Sequence, residues 1–191
     1  QDDTLIIIDC GTGLRVLGQN LLSKSGGEPI NAHILLSHTH WDHIQGFPFF
    51  TPAFIPNNSF TVYGAKGVNR QIEDTLAGQM ESPYFPVALE AMAASLNFKP
   101  FDEPMFTIGN LTIETFNLNH PGNSLGFRIS GVDGAIAYIS DHEPYYRLTT
   151  TSLTGGEEDQ EKIDSAIIRD SAYTDFIKGV DLLIEDSPYT E

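Results

Sequence analysis

The sequence predicts an α/β layered fold carried by one domain. Three observations predict it. The first forty residues read as an apolar strand, a helix with leucines at helical spacing, and a second apolar strand. From Asn97 onward the pattern changes to short β-rich runs separated by Gly, Asn or Pro. Polar loops bearing histidine follow three of the strands, at their C-terminal ends, where α/β sheets place their ligands.

A chain of 191 residues is long enough for one real core, and residues 1–191 are expected to form a single domain. No internal repeat or interdomain linker interrupts it. Acidic residues outnumber basic ones 26 to 10, for a net charge of −16. Two divalent cations would cut this by about four units and still leave an acidic surface. Such a field disfavours long nucleic acid and anionic membrane as partners and favours a small substrate reaching a metal-bearing pocket. The expected protein assembly is a homodimer. No apolar run approaches the roughly 18 residues needed to span a bilayer. Gln1-Asp2-Asp3 is acidic where a signal peptide would be basic. The lone cysteine, Cys10, excludes an internal disulfide, points to a cytoplasmic location, and reads as a small buried residue.

Residues 4–9 form the first expected strand, with Leu5 to Ile8 too apolar for an exposed edge. Asp9-Cys10-Gly11-Thr12-Gly13 is a tight turn whose glycines are expected to supply positive φ and close backbone approach. Leu14, Leu17, Leu21 and Leu22 mark a helix ended by Ser25-Gly26-Gly27. The second strand spans residues 32–36. Residues 46–54 hold four Phe and two Pro, which excludes a regular helix and predicts a hydrophobic flap. A strand is expected at 60–63, a helix face at Val68, Ile72, Leu76 and Met80, and an Ala-rich helix at 87–96. Strands follow at 97–101, 111–118, 125–130 and 135–140, then a solvated acidic loop at 149–161, a weak helix at 163–176 and a last strand at 181–185.

Chemistry concentrates in His38-Thr39-His40-Trp41-Asp42-His43, which holds three of the six histidines and follows the apolar run His33-Ile34-Leu35-Leu36. Imidazole and carboxylate are the donors that borderline divalent metals prefer. Donors this close in sequence meet at little loop-closure cost. Two later strands end in Asn119-His120-Pro121-Gly122 and Ser140-Asp141-His142-Glu143-Pro144. The full set is His38, His40, Asp42, His43, His120 and Asp141. His33, inside the strand, reads as structural.

An HxHxDH motif followed by a His and then an Asp, each after a strand, resembles the metallo-β-lactamase fold superfamily. The resemblance runs from the Asp9-Cys10-Gly11 turn to Asp186. It implies a four-layer αββα sandwich, trimmed at both ends in this chain, with the site at one edge of the sandwich. It also implies two divalent metal ions, zinc first, with manganese or iron as alternatives. His38, His40 and His120 are then the ligands of the first metal, Asp42 and His43 of the second, and Asp141 the bridge. Asp9 matches a family carboxylate that orients a ligating imidazole. Asp42 and Asp141 are the residues this resemblance casts in catalysis; His142 has no ligand role, and its place directly after Asp141 makes it the candidate proton donor to the leaving oxygen.

The run from Leu35 to Phe47, and Asn119-His120-Pro121-Gly122-Asn123-Ser124-Leu125-Gly126-Phe127-Arg128, are most similar to the phosphodiesterase branch, which holds ribonuclease Z and cyclic-phosphate phosphodiesterases. HxH rather than HxE disfavours redox iron chemistry. The expected function is therefore hydrolysis of a small cyclic or linear phosphodiester by a metal-bridged hydroxide. The alternatives are a thioester or lactone hydrolase on the same metals, and a non-catalytic metal-binding sensor. Family members carry one more His after the last strand, and many read Leu-Ile-His-Asp where this chain has Leu183-Ile184-Glu185-Asp186. Either that ligand is expected in sequence past Glu191, or the second site is expected to be incomplete and its metal weakly held. Arg128 and Arg147 are near enough in sequence to meet a phosphate, but position alone assigns neither.

Overall fold

The computed structural model describes residues 4–65, 72–151 and 158–186. It is a mixed α/β structure with two sheets. Its contacts divide the chain into two units, Gln1–Glu103 and Pro104–Glu191.

The first unit holds a four-stranded sheet in the order β1-β2-β3-β4, formed by Ile6–Ile8, Asn31–Leu35, Ser59–Gly64 and Ser95–Pro100. All three pairings are parallel, with Ile8 opposite Leu35 and Leu35 opposite Tyr63. Parallel strands end on one side together. Asp9 and Ser37 therefore leave the sheet side by side, and the Asp9 N–H still bonds the Leu35 carbonyl at 2.9 Å. Helix α1 (Gly13–Ser25) packs Leu14 inward and ends at Gly26, whose φ of 62° makes the left-handed cap. Short helix α2 (Trp41–Ile44) follows β2, and α3 spans Ile72–Gly78. The core gathers Ile34, Leu36, Phe47, Phe50, Phe60, Val62 and Leu76, all fully buried.

The predicted Phe flap is two 3-10 turns, Phe47–Phe49 and Thr51–Phe54, packed on that core. Pro48 and Pro52 are the second residue of each, within the first turn, where the N–H has no partner inside the helix and its absence costs nothing. Asn58, buried at the start of β3, accepts from the Ile30 N–H and donates to the Pro52 carbonyl, both at 2.8 Å.

Three expectations for this unit change. The 87–96 helix is instead a 3-10 turn, Leu89–Ala91, running into β4. Alanine's helix preference is roughly a few tenths of a kcal/mol per residue; contacts outside the segment outweigh it, the Ala94 N–H bonding the Ala53 carbonyl and Ser95 and Leu96 pairing with Ser59 and Phe60 of β3. Among the described residues β1 stands at the end of the sheet despite its apolarity. Apolarity reports covered faces, and Ile7 is 5% exposed; the edge concerns the hydrogen-bonding direction. Positive φ in the 9–13 turn falls on Asp9, at 58°, rather than on its glycines. Val68 lies outside the described residues.

The second unit holds a five-stranded sheet in the order β5-β6-β7-β8-β9, formed by Met105–Ile108, Leu111–Asn117, Leu125–Gly131, Gly134–Ile139 and Leu182–Glu185. It is antiparallel except for the β8–β9 pair. β5 is not among the expected strands. Its signal is the two-residue Gly109-Asn110 turn, with Gly109 at φ 56° and Ile108 paired to Leu111. Helices α4 (Tyr145–Thr151) and α5 (Glu158–Ile177) lie between β8 and β9. The expected acidic loop at 149–161 is thus helical at both ends, and 152–157 lie outside the described residues. Among the described residues no helix is long and apolar enough to cross a membrane.

Candidate metal centre

In the first unit β2 delivers Ser37, His38 and His40, and the turn of helix after it delivers Asp42 and His43. Two close backbone contacts seat that helix on the 9–13 turn. Cys10 N–H donates to the His43 carbonyl, and Gly46 N–H donates to the Cys10 carbonyl, both at 2.7 Å. A Cβ on Gly46 would lie 2.0 Å from the Gly11 oxygen, and one on Gly11 2.7 Å from the Asp42 oxygen. Both positions therefore require glycine.

Asp9 is buried and organises the cluster. Its carboxylate accepts from the Ser37 N–H at 2.7 Å, the Ser37 hydroxyl at 2.8 Å and His43 Nδ1 at 2.9 Å. The bond to His43 puts that ring's proton on Nδ1 and leaves Nε2 as the donor atom for a metal. The single hydroxyl proton of Ser37 goes to Asp9, so its oxygen accepts from His38 Nδ1, 3.1 Å away. This fixes the His38 tautomer too, with the Nε2 lone pair aimed at His40 Nδ1 at 3.0 Å. One carboxylate therefore sets two imidazoles, one directly and one through a serine. Ser37 is absent from the sequence-derived site; its signal was its place directly before His38 at the end of β2, opposite the carboxylate that ends β1.

His43 Nε2 lies 3.4 Å from Asp42 Oδ2. Two ligands of a tetrahedral cation at about 2.0–2.1 Å stand roughly 3.3 Å apart. The His38–His40 and His43–Asp42 separations match that spacing. Donor type and spacing both fit a borderline divalent metal.

In the second unit His120 follows β6 and Asp141 follows β8, on either side of β7. His120 Nε2 and Asp141 Oδ2 are 3.3 Å apart, the same ligand spacing. Asn119 knits the two loops. Its N–H donates to His142 Nδ1 at 3.0 Å, its side-chain amide to the Glu143 carbonyl at 2.8 Å, and its carbonyl accepts from the Glu143 N–H at 3.0 Å. His142 is stacked on Tyr173 with ring centres 4.6 Å apart. Burial pushes its pKa down, against the pull of Asp170, Glu185 and Glu143. Accepting at Nδ1 also favours the neutral ring.

Other residues have structural duties. Arg128 donates to the Phe176 and Lys178 carbonyls at 2.8 and 2.9 Å, closing the end of α5. His33 lies 3.4 Å from the Tyr63 hydroxyl. Cys10 is fully buried, and burial first, then Asp9, pushes its thiol pKa up.

The family described as the beta-lactamase superfamily domain matches residues 4–175. Ribonuclease Z of Staphylococcus carnosus is 27% identical over 149 residues, 74% of this chain and 44% of that enzyme. Ribonuclease Z of Clostridium perfringens is 30% identical over 135 residues, 64% of this chain and 40% of that enzyme. A solved structure of a diphosphatase from the PhnP family is similar in fold, with a TM-score of 0.55 at 17% identity, over 96% of this chain and 56% of that one. The chain spans less than half the length of both ribonucleases.

Proposed function

The chain belongs to the beta-lactamase superfamily, and from that premise we propose that it is a metal-dependent phosphodiesterase acting on a small cyclic or linear phosphodiester. The observation that carries this reading is the pairing of donors at ligand spacing in each unit: His38 with His40, His43 with Asp42, and His120 with Asp141. The proposed sets are His38, His40 and His120 for one cation and Asp42 and His43 for the other, with Asp141 serving both. Zinc, or manganese or iron in its place, would supply Lewis acidity toward a phosphoryl oxygen and a water acidic enough to ionise near neutral pH.

The chain's own residues do the rest. Asp9 and Ser37 hold the rings of His43 and His38 with Nε2 presented. Asn119 holds the loops that present His120 and Asp141. His142 is the proposed donor to the leaving oxygen; with Nδ1 accepting from the Asn119 N–H, its ring proton sits on Nε2.

The ribonuclease Z relatives support phosphodiester rather than carboxylic ester chemistry, and they also favour a second reading, RNA itself. The net charge of −16 argues for the smaller substrate. The test is hydrolysis of bis-p-nitrophenyl phosphate, a single-stranded RNA oligonucleotide, a lactone and a thioester by protein loaded with Zn²⁺ or Mn²⁺. Turnover of the small phosphodiester, lost together with bound metal in His40→Ala, is the expected result. Turnover of the lactone or thioester alone, or of nothing, overturns the proposal. Cleavage of RNA without the small diester selects the second reading.

A further inference from the structure

Helices α4 and α5 border an open, surface-facing cavity of about 480 Å³, lined by Tyr145, Thr149, Glu161, Lys162, Ser165, Ala166 and Arg169. Its volume is that of a small-molecule site. Its lining is unusual for this chain, which has ten Lys and Arg against 26 acids. Two of those cations face this one cavity.

The cations are presented differently. The guanidinium of Arg169 lies over the Tyr145 ring, 5.0 Å from its centre. Among the described residues no carboxylate pairs with it. In a chain this acidic, an arginine stacked on an aromatic face and left without an acid keeps its fork of donors for another anion. Lys162 is held 3.6 Å from Asp159 at the rim. The Tyr145 floor is anchored, because Asp170 accepts from the Tyr145 and Tyr146 N–H groups at 2.8 and 2.9 Å. Thr149 and Ser165 bring hydroxyls and Glu161 an acceptor.

We infer that this cavity binds the phosphate monoester of a sugar, such as the sugar-phosphate part of a nucleotide, with Arg169 and Lys162 on the phosphate and Glu161 accepting from a sugar hydroxyl. A bare phosphate would leave Glu161 opposed to it; a sugar hydroxyl gives that carboxylate a donor. The cavity stands close to the second-unit ligands. The Tyr145 and His142 rings are 6.3 Å apart, and His142 directly follows Asp141. Seating the nucleotide part of a substrate beside Asp141 rests on the phosphodiesterase reading; occupancy of the cavity does not.

The test is calorimetric titration of metal-loaded protein with adenosine 5′-phosphate and, separately, adenosine. Adenosine 5′-phosphate should bind about tenfold or more tightly than adenosine, in line with charge-assisted bonds to the phosphate. Arg169→Gln should weaken it about tenfold, and Lys162→Gln about threefold, while His40→Ala leaves it within about twofold. Both cavity residues are exposed, so neither change disturbs the core. Equal binding of nucleotide and nucleoside overturns the site, as does wild-type binding by Arg169→Gln. Binding lost in His40→Ala but kept in Arg169→Gln would place the phosphate on the metal ligands and also overturn it. Binding that follows the expected pattern without hydrolysis of any phosphodiester would leave the cavity standing and sink the proposed activity.

Discussion

The two units present their candidate ligands by different means. In the first, the ligands are sequence neighbours, and side chains orient them. Buried Asp9 and Ser37 hold His43 and His38, which are 6% and 3% exposed. In the second, the ligands come from loops more than one strand apart, and backbone pairing brings them together. The register of β6, β7 and β8 and the Asn119 knot set His120 against Asp141, whose side chains are 21% and 13% exposed. Neighbours in sequence meet for almost no entropy but arrive with their rings unoriented. Ligands on separate strands are aimed by the sheet and need little further help.

This contrast makes graded predictions. Asp9→Ala removes the anchor of both imidazoles and should lower metal affinity about 10–100-fold, the usual cost of losing a carboxylate behind a ligating histidine. Competition against a chromophoric chelator measures it; wild-type affinity would show that the rings are held otherwise. Ser37→Ala breaks only the branch to His38 and should sit near the lower end, about tenfold. A loss as large as that of Asp9→Ala would mean that the serine, not the carboxylate, is the anchor. Asn119→Ala should cost about 1–2 kcal/mol in urea unfolding and change metal affinity less than Ser37→Ala, because the strands still aim the loops. A larger metal effect than in Ser37→Ala would erase the distinction between the units.

The first unit's part of the site was legible because its ligands form a contiguous string after an apolar strand, and His120 and Asp141 because each follows a strand. The Asp9–Ser37–His38 relay was less so. Its members are adjacent in space because β1 and β2 are parallel, and parallel neighbours are a tertiary fact. The same limit explains the segment at 87–96, whose end is held by partners far back in the sequence, Ala53 for Ala94 and β3 for Ser95 and Leu96. β5 escaped because a four-residue strand beginning at an exposed Met105 has too little alternation to stand out, while its Gly109-Asn110 turn was the readable part. The cavity between α4 and α5 had no sequence signal, since Tyr145 and Arg169 meet only once two helices fold against each other.

The seam between the 9–13 turn and α2 carries one more consequence. Gly11 and Gly46 are far apart in the chain, yet each is confined by backbone from the other side of the same contact. A methyl at either forces the helix off the turn, and once it has lifted, the second methyl meets no obstacle. The two substitutions should therefore be strongly sub-additive, with the double variant hardly worse than the poorer single one. In the language of epistasis, these two sites behave as a single locus. A lineage that lost one glycine would be released from keeping the other, and its Asp42 and His43 would have drifted out of register with Asp9.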